Sequence, residues 1–324
     1  MIKNDEVKEL ISFYNVENLF SADLPPVHHL DPTVSGLKNW DEKRYRNKLS
    51  KIAHVFQLIE QEERVLPMLI GISEIQGHTP LEDLVLLPPF NSNYGVIHYD
   101  SMDERGVDVA LLYDKSKVEI ISSEPITYFF ELVDQNPANY DTTRDVLHCK
   151  VKFRESIFNV FVLHLPSKRE RDINLPKRNY ILNKLSEKIK EIQEETDEPV
   201  LICGDFNDNP DEKNMKDFLV NSNNMKSLLN PSEYLFMNRE YSTFYYKNGL
   251  LFDQIILSTE FFNSESQIHF VKSKVFNHEK LSNRNSKFSG RPFRTYAGTR
   301  YLGGYSDHFP VYVQLAIKKN KDIQ

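Results

Sequence analysis

Leu201-Ile202-Cys203-Gly204-Asp205-Phe206-Asn207-Asp208-Asn209-Pro210 is the stretch on which the reading of this chain turns. The apolar run Val200 to Cys203 reads as a buried strand. It stops at Gly204, and Asp205, Asn207 and Asp208 follow at once. Strand ends are where a rigid scaffold hands polar groups to a cleft. If the chain stays extended, the period of two puts Asp205 and Asn207 on the same side. An acceptor-only carboxylate beside an amide donor suits the orientation of a water next to a phosphate. A plain strand followed by an Asn/Pro turn is the simpler reading, but other apolar strands in this chain end the same way.

Leu10 to Phe13 runs into Tyr14-Asn15-Val16-Glu17-Asn18, and Pro67 to Ile72 runs into Ser73-Glu74-Ile75-Gln76. Val107 to Tyr113 carries Asp108 inside a strand, where a charge needs a partner or an exposed face; a partner is expected. Lys117 to Phe130 and Asp145 to Phe153 read as further strands, with Arg144 at the mouth of the second. Ile157 to Leu163 delivers His164 ahead of Pro166-Ser167-Lys168-Arg169. Leu250 to Leu257 holds Asp253, and Tyr305-Ser306-Asp307-His308 opens the last strand, Val311 to Ile317.

Two helices are well marked. Asp41 is an N-cap for a helix to about Glu63, with Leu49, Ile52, Phe56 and Ile59 on its apolar face. Pro176 starts another to about Glu195, with Ile181, Leu185, Ile189 and Ile192 aligned. A shorter helix is expected from about Asp211. His28-His29, in a Pro-rich loop, read as surface residues, since neighbours in extended chain point apart.

Composition narrows the function. The 324 residues are 40% apolar with 21 Phe and 16 Tyr, ample for a core, and carry a net charge of −7. Such a chain is no polycationic nucleic-acid coat, so a polyanion must meet a local positive patch. One stretch qualifies: Lys272 to Arg300 holds eight Lys/Arg against the single acid Glu279, with Phe288, Phe293 and Tyr296 among them. It reads as a phosphate-binding loop. Cys149 and Cys203 sit in strands and read as core residues, with no disulfide framework. The N-terminus lacks a signal-peptide pattern and no run has membrane-span length, so a cytoplasmic protein is expected. With no repeat or linker, residues 1–324 read as one catalytic domain. Nothing implies a protein partner, and a monomer is expected.

Collected, the strand-end set is Asn15, Glu17, Glu74, Asp108, His164, Asp205, Asn207, Asp253, Asp307 and His308. Hard oxygen ligands without cysteine suit Mg²⁺, with Mn²⁺ or Ca²⁺ as substitutes. Carboxylates can fix the tautomers of the two histidines. Charge neutralisation, an oriented water and a protonated leaving oxygen are what phosphate-ester hydrolysis needs, and the set can supply all three.

Six blocks, Tyr14 to Asn18, Ile72 to Gln76, His164 to Ser167, Gly204 to Asn207, Phe252 to Ile255 and Tyr305 to His308, resemble in order the endonuclease/exonuclease/phosphatase superfamily. His164 resembles the branch of pancreatic deoxyribonuclease and the sphingomyelinases and argues against abasic-site repair. The resemblance implies a four-layer α/β sandwich of two mixed sheets with helices outside. It implies that Glu74 is the principal metal ligand, with Asn15 and Asp307 close by and Glu17 at a second metal position. It gives Asp205 the attacking water, Asn207 the scissile phosphate, His308 with Asp253 the transition state, and His164 the leaving oxygen. Arg144 resembles a phosphate-contacting arginine, and Arg105 and Tyr296 are further candidates for substrate contact. Asp108 is the preferred partner of His164, ahead of Glu104.

The function expected from this is Mg²⁺-dependent phosphodiester hydrolysis, most readily as an endonuclease-like enzyme on nucleic acid. One alternative is a phosphatase or phospholipase C-type hydrolase on inositol phosphates or sphingomyelin-like headgroups, since fold does not fix substrate. A second is a non-catalytic nucleic-acid-binding module that uses the basic loop.

Overall fold

The computed structural model describes residues 6–22, 38–103, 105–131, 140–168, 171–220, 227–285 and 288–319. His28, His29, Glu104 and Arg169 lie outside them. The principal strands, in chain order, are β1 (Glu6–Leu19), β2 (Leu69–Ile75), β3 (Tyr94–His98), β4 (Asp108–Asp114), β5 (Val118–Ile126) and β6 (Val146–Phe153). They continue with β7 (Ser156–His164), β8 (Val200–Asp205), β9 (Leu228–Leu229), β10 (Asp253–Ser258), β11 (Ile268–Val275) and β12 (Val311–Lys318). They form two six-stranded sheets, ordered β11-β12-β1-β2-β4-β3 and β9-β10-β8-β7-β6-β5.

Each sheet contains a parallel pair near its centre, β1 with β2 and β7 with β8, among antiparallel neighbours. Parallel neighbours need a crossover, usually a helix. α1 (Glu42–Glu63) joins β1 to β2, and α3 (Leu175–Thr196) joins β7 to β8; α2 (Thr79–Leu86) follows β2. The two β-α-β units are thus alike in build, and each sends the C-terminal ends of two strands to one rim. Carboxyl ends of parallel strands are where open α/β sheets bind ligands.

The helices form where the apolar spacing requires them. The Asp41 side chain accepts from the Arg44 amide at 2.9 Å, which caps α1. Leu49, Ile52, Phe56 and Ile59 are buried in the main core. Ile181, Leu185, Ile189 and Ile192 of α3 pack with Phe161, Leu163, Ile202 and Ile256 of the second sheet. Each such buried aliphatic side chain contributes roughly 1.5–3 kcal/mol. Between the sheets the contact is tight: a Cβ on Gly71 would stand 2.6 Å from Cys203 Sγ and 3.2 Å from Val162. Cys149 and Cys203 are both buried and free, as core residues. Among the described residues no helix is long and apolar enough to cross a membrane.

The expected strands and both long helices are present, but β1 runs on to Leu19, so Asn15 and Glu17 lie within it, and β5 stops at Ile126 short of Phe130; three further differences bear on the site. Asp253 begins β10 instead of lying within it, because Leu251 is held by Asn209 Oδ1 outside the ladder. Asn207 does not continue an extended chain: its φ is +52°, and its amide turns back to Asp205 Oδ1 at 2.9 Å. Lys272 and Lys274 belong to edge strand β11 and pair with Glu63 and Glu62, so the basic loop is shorter than the charge run implied.

Candidate active site

Asp205, at the tip of β8, is the centre of the site. Its Oδ2 accepts from Asn15 Nδ2 at 3.0 Å and lies 3.6 Å from His164 Nε2 and 3.9 Å from His308 Nε2. Burial, with the neighbouring charge of Asp253, pushes its carboxyl up to about 7. Asp253 is fully buried and meets His308 Nδ1 at 2.6 Å. Although burial disfavours the imidazolium, the charge of Asp253 and the hydrogen bond to it hold His308 well above its ordinary value. His164 is the opposite case. Burial, and then the cations Arg144, Arg105 and His308, hold it well below the ordinary range. Two histidines flank one carboxylate, one biased charged and one biased neutral.

Glu74 reaches the site through distorted backbone. Its φ is +65°, and the β2–β4 register shifts between Ser73 and Ile75, as at a β-bulge. Left-handed backbone at a non-glycine residue concentrates at functional positions, and bulges re-aim side chains. Glu74 Oε2 accepts from the Asn18 amide at 3.0 Å, while Oε1 lies 3.5 Å from Asn15 Nδ2 and 3.7 Å from Arg105 Nη2. Asn15 therefore gives N–H bonds to both acids, and its Oδ1 accepts from the Glu17 amide. It joins the carboxylates and turns its own oxygen away. Asp307 Oδ2 pairs with Arg294 at 2.9 Å and Oδ1 lies 3.9 Å from His308 Nε2. The amide of Asn207 donates to the Leu165 carbonyl at 2.9 Å.

Four expected roles change. Tyr296 is buried, and its hydroxyl lies with Lys38 and Arg44 near the start of α1, so it is set for packing and not for substrate contact. Asp108 is taken up by Ser101 and by His98, 3.4 Å away, and the carboxylate beside His164 is Asp205. Glu17 accepts from the amides of Thr295 and Tyr296, which commits it to holding that loop. Arg144 is buried and donates to the carbonyls of His164 and Leu165 and to Asp103, so it braces the turn after β7.

Sequence reasoning missed two buried cations. Lys48 donates to the Tyr305 carbonyl at 2.7 Å and to Thr295. Burial lowers it to about 8 despite the charges of Glu17 and Asp307. Arg178 meets Asp208 through Nε at 2.6 Å and Nη2 at 3.0 Å, both side chains fully buried. Asp208 also accepts from Asn214, and its carbonyl from Gln254. This network fixes the loop that carries Asn207. The available signal was spacing: Lys48 and Arg178 each fall within the apolar stripe of their helix.

The donors fit a divalent cation. Glu74, Asp205 and Asp307 are hard oxygen groups without cysteine, the preference of Mg²⁺, Mn²⁺ or Ca²⁺. Burial, and then the charge of Asp307, pushes Glu17 up to about 7.

Comparison with curated proteins returns no match. Solved structures do match in fold. A mannosyl-6-phosphatase from Bacteroides thetaiotaomicron is 19% identical, with 95% of this chain and 99% of that one covered and a TM-score of 0.59. TDP2 of D. rerio in complex with a single-strand DNA product is 16% identical over 95% and 98%, TM-score 0.56. The human Nocturnin catalytic domain with bound sulfate is 14% identical over 97% and 96%, TM-score 0.59. With the Endonuclease/Exonuclease/phosphatase family profile matching residues 10–317, the chain belongs to that family.

Proposed function

We propose that the protein, acting as one catalytic unit, is a Mg²⁺-dependent phosphodiesterase whose substrate is nucleic acid. The observation that carries the reading is the junction at Asp205, where one buried carboxylate meets Asn15 and two histidines of opposite charge bias. A cation held by Glu74 and Asp307 would supply charge neutralisation at the phosphate. Asp205, held by the Asn207 amide and Asn15, orients and deprotonates the attacking water. A carboxyl pushed up to about 7 is matched to that task at neutral pH. His308, kept protonated by Asp253, gives a charged hydrogen bond to the phosphoryl oxygens as they gain charge. His164, buried and neutral, lies 3.6 Å from the same Asp205 oxygen and gives an N–H hydrogen bond to the leaving oxygen. Asn207 holds the phosphate with the amide edge that Leu165 leaves unused.

The test is hydrolysis of a single-stranded oligonucleotide, bis-p-nitrophenyl phosphate and p-nitrophenyl phosphate in Mg²⁺, Mn²⁺ or EDTA. Diester cleavage that disappears with EDTA and falls on the order of 10³-fold in Glu74→Ala is expected, the scale of losing an electrostatic stabiliser. Full activity of Glu74→Ala would sink the assignment. Inert diesters with a metal-dependent monoesterase would move the enzyme to the phosphatase side of its family, the activity named for the Bacteroides relative.

A further inference from the structure

Beside the catalytic rim lies a cavity of about 620 Å³ that shares only Asp307 with the chemistry above. Phe244, Tyr245 and Tyr246 form one wall, Phe288, Arg291 and Phe293 the other, and Arg294 and Asp307 reach its edge. The first wall is a hairpin, Thr243–Tyr245 paired with Asn248–Leu250. It is fastened to the catalytic segment: Thr243 bridges His308, Thr243 Oγ1 donates to the Asp307 carbonyl at 2.8 Å, and the Phe309 amide donates to Ser242 at 2.7 Å. A ligand in the cavity therefore sits in fixed relation to His308.

The surface is of an unusual kind for an unpartnered hairpin. Tyr245 and Tyr246 are 65% and 76% exposed, their rings 4.7 Å apart and edge to face. Tyr246 adopts φ +51°, a conformation that a bulky side chain rarely takes. Tyr246 stands first in the two-residue connection between Tyr245 and Asn248, where a tight hairpin turn calls for positive φ. The Arg291 guanidinium joins the two segments, lying over the rings of Phe244 and Phe288 at 5.8 and 5.3 Å from their centroids. Among the described residues that line the cavity, Asp307 is the one carboxylate, and it is paired with Arg294. Flat aromatic faces and a planar cation, with no open acid to receive sugar hydroxyls, match a base attached to a phosphate backbone. The size is within the range of small-ligand sites.

Resting on the phosphodiesterase reading, we propose that this cavity is a base-stacking pocket: it takes the nucleobase next to the scissile phosphate of a single-stranded nucleic acid. The Tyr245–Tyr246 tip covers the base and the Arg291 wall receives its other face and the adjoining phosphate.

The experiment compares KM, in Mg²⁺, for an oligodeoxynucleotide and for an equally long, equally charged chain whose residues are all abasic. Stacking of one base corresponds to roughly a 5- to 150-fold preference for the base-bearing chain. Wild type should show a KM ratio in that range, Tyr245→Ala/Tyr246→Ala should bring it close to one, and Tyr246→Phe should keep it. A wild-type ratio near one, or a ratio that survives in the double alanine variant, overturns the pocket while Glu74-dependent cleavage leaves the parent reading standing. Cleavage of both chains by Glu74→Ala at wild-type rate would instead overturn the parent reading.

Discussion

The floor of the site and its aromatic wall are built on opposite principles. The floor is gathered from strands of both sheets, and its groups lie out of solvent: Asp253, Asp205, Asn15 and His164 are all buried. The wall is made of a hairpin and a loop, and its Tyr245, Tyr246 and Phe288 rings are exposed. Groups that must hold charge in a set geometry need fixed partners and low local dielectric. Groups that select a substrate need open surface. In this molecule the two needs are met by different kinds of backbone.

The sharpest way to break that comparison is to loosen the floor without reshaping it. Asp253→Asn keeps the side-chain outline but removes the charge that sustains His308. We expect kcat to fall on the order of 10³-fold, about 4 kcal/mol, with KM for the oligonucleotide little changed. Steady-state kinetics would check this. A loss confined to KM would mean that the floor merely binds, and the division of labour would fail.

Next in size is the support beneath the floor. Arg178→Leu leaves Asp208 buried with its main cation gone and should destabilise the fold by about 3 kcal/mol. Urea denaturation reads the loss, and kcat of the folded fraction should also drop because Asn207 is adjacent. Unchanged stability would mean that Lys168, 2.9 Å from Asp208, compensates alone.

The floor was largely readable in the sequence, and the reason is physical. Asn15, Glu74, His164 and Asp205 each come after a short, largely apolar stretch in which a polar side chain stands out. Spacing also announced α1 and α3, because their stripes are long and regular. What sequence concealed was the partner of each side chain. Asp108 looked available to His164, yet β3 brings His98 to it, and β3 carries too little alternation to stand out. Arg144 and Tyr296 looked like surface chemistry and proved to be braces, because burial depends on loops packed from distant residues. Lys48 and Arg178 were visible as anomalies in apolar stripes, and an unpaired cation there would have been costly. The wall was hidden because a tyrosine at positive φ has no sequence signature.

The smallest effect sharpens the comparison from a place remote from both regions. Glu63, at the end of α1, accepts from Lys8 at 2.9 Å, Lys272 at 3.0 Å and Tyr312 at 2.5 Å, and so ties the helix to β1, β11 and β12. Burial alone would raise its carboxyl, but the hydrogen bonds from Lys8, Tyr312 and Lys272 hold it at about 2. A carboxyl depressed by folding contributes its stability above the unfolded value of about 4.3 and loses it as pH falls toward 2. Glu63→Gln should therefore cost about 1–2 kcal/mol at pH 7, or roughly 2–5 °C in Tm for a chain of this size. At pH 3 the gap to wild type should narrow, because wild type has already lost part of the same contribution. kcat should stay at the wild-type value, since no floor residue touches Glu63. A gap of equal size at both pH values would show that the carboxylate acts by shape alone, and a lower kcat would show that the floor leans on this end of the sheet.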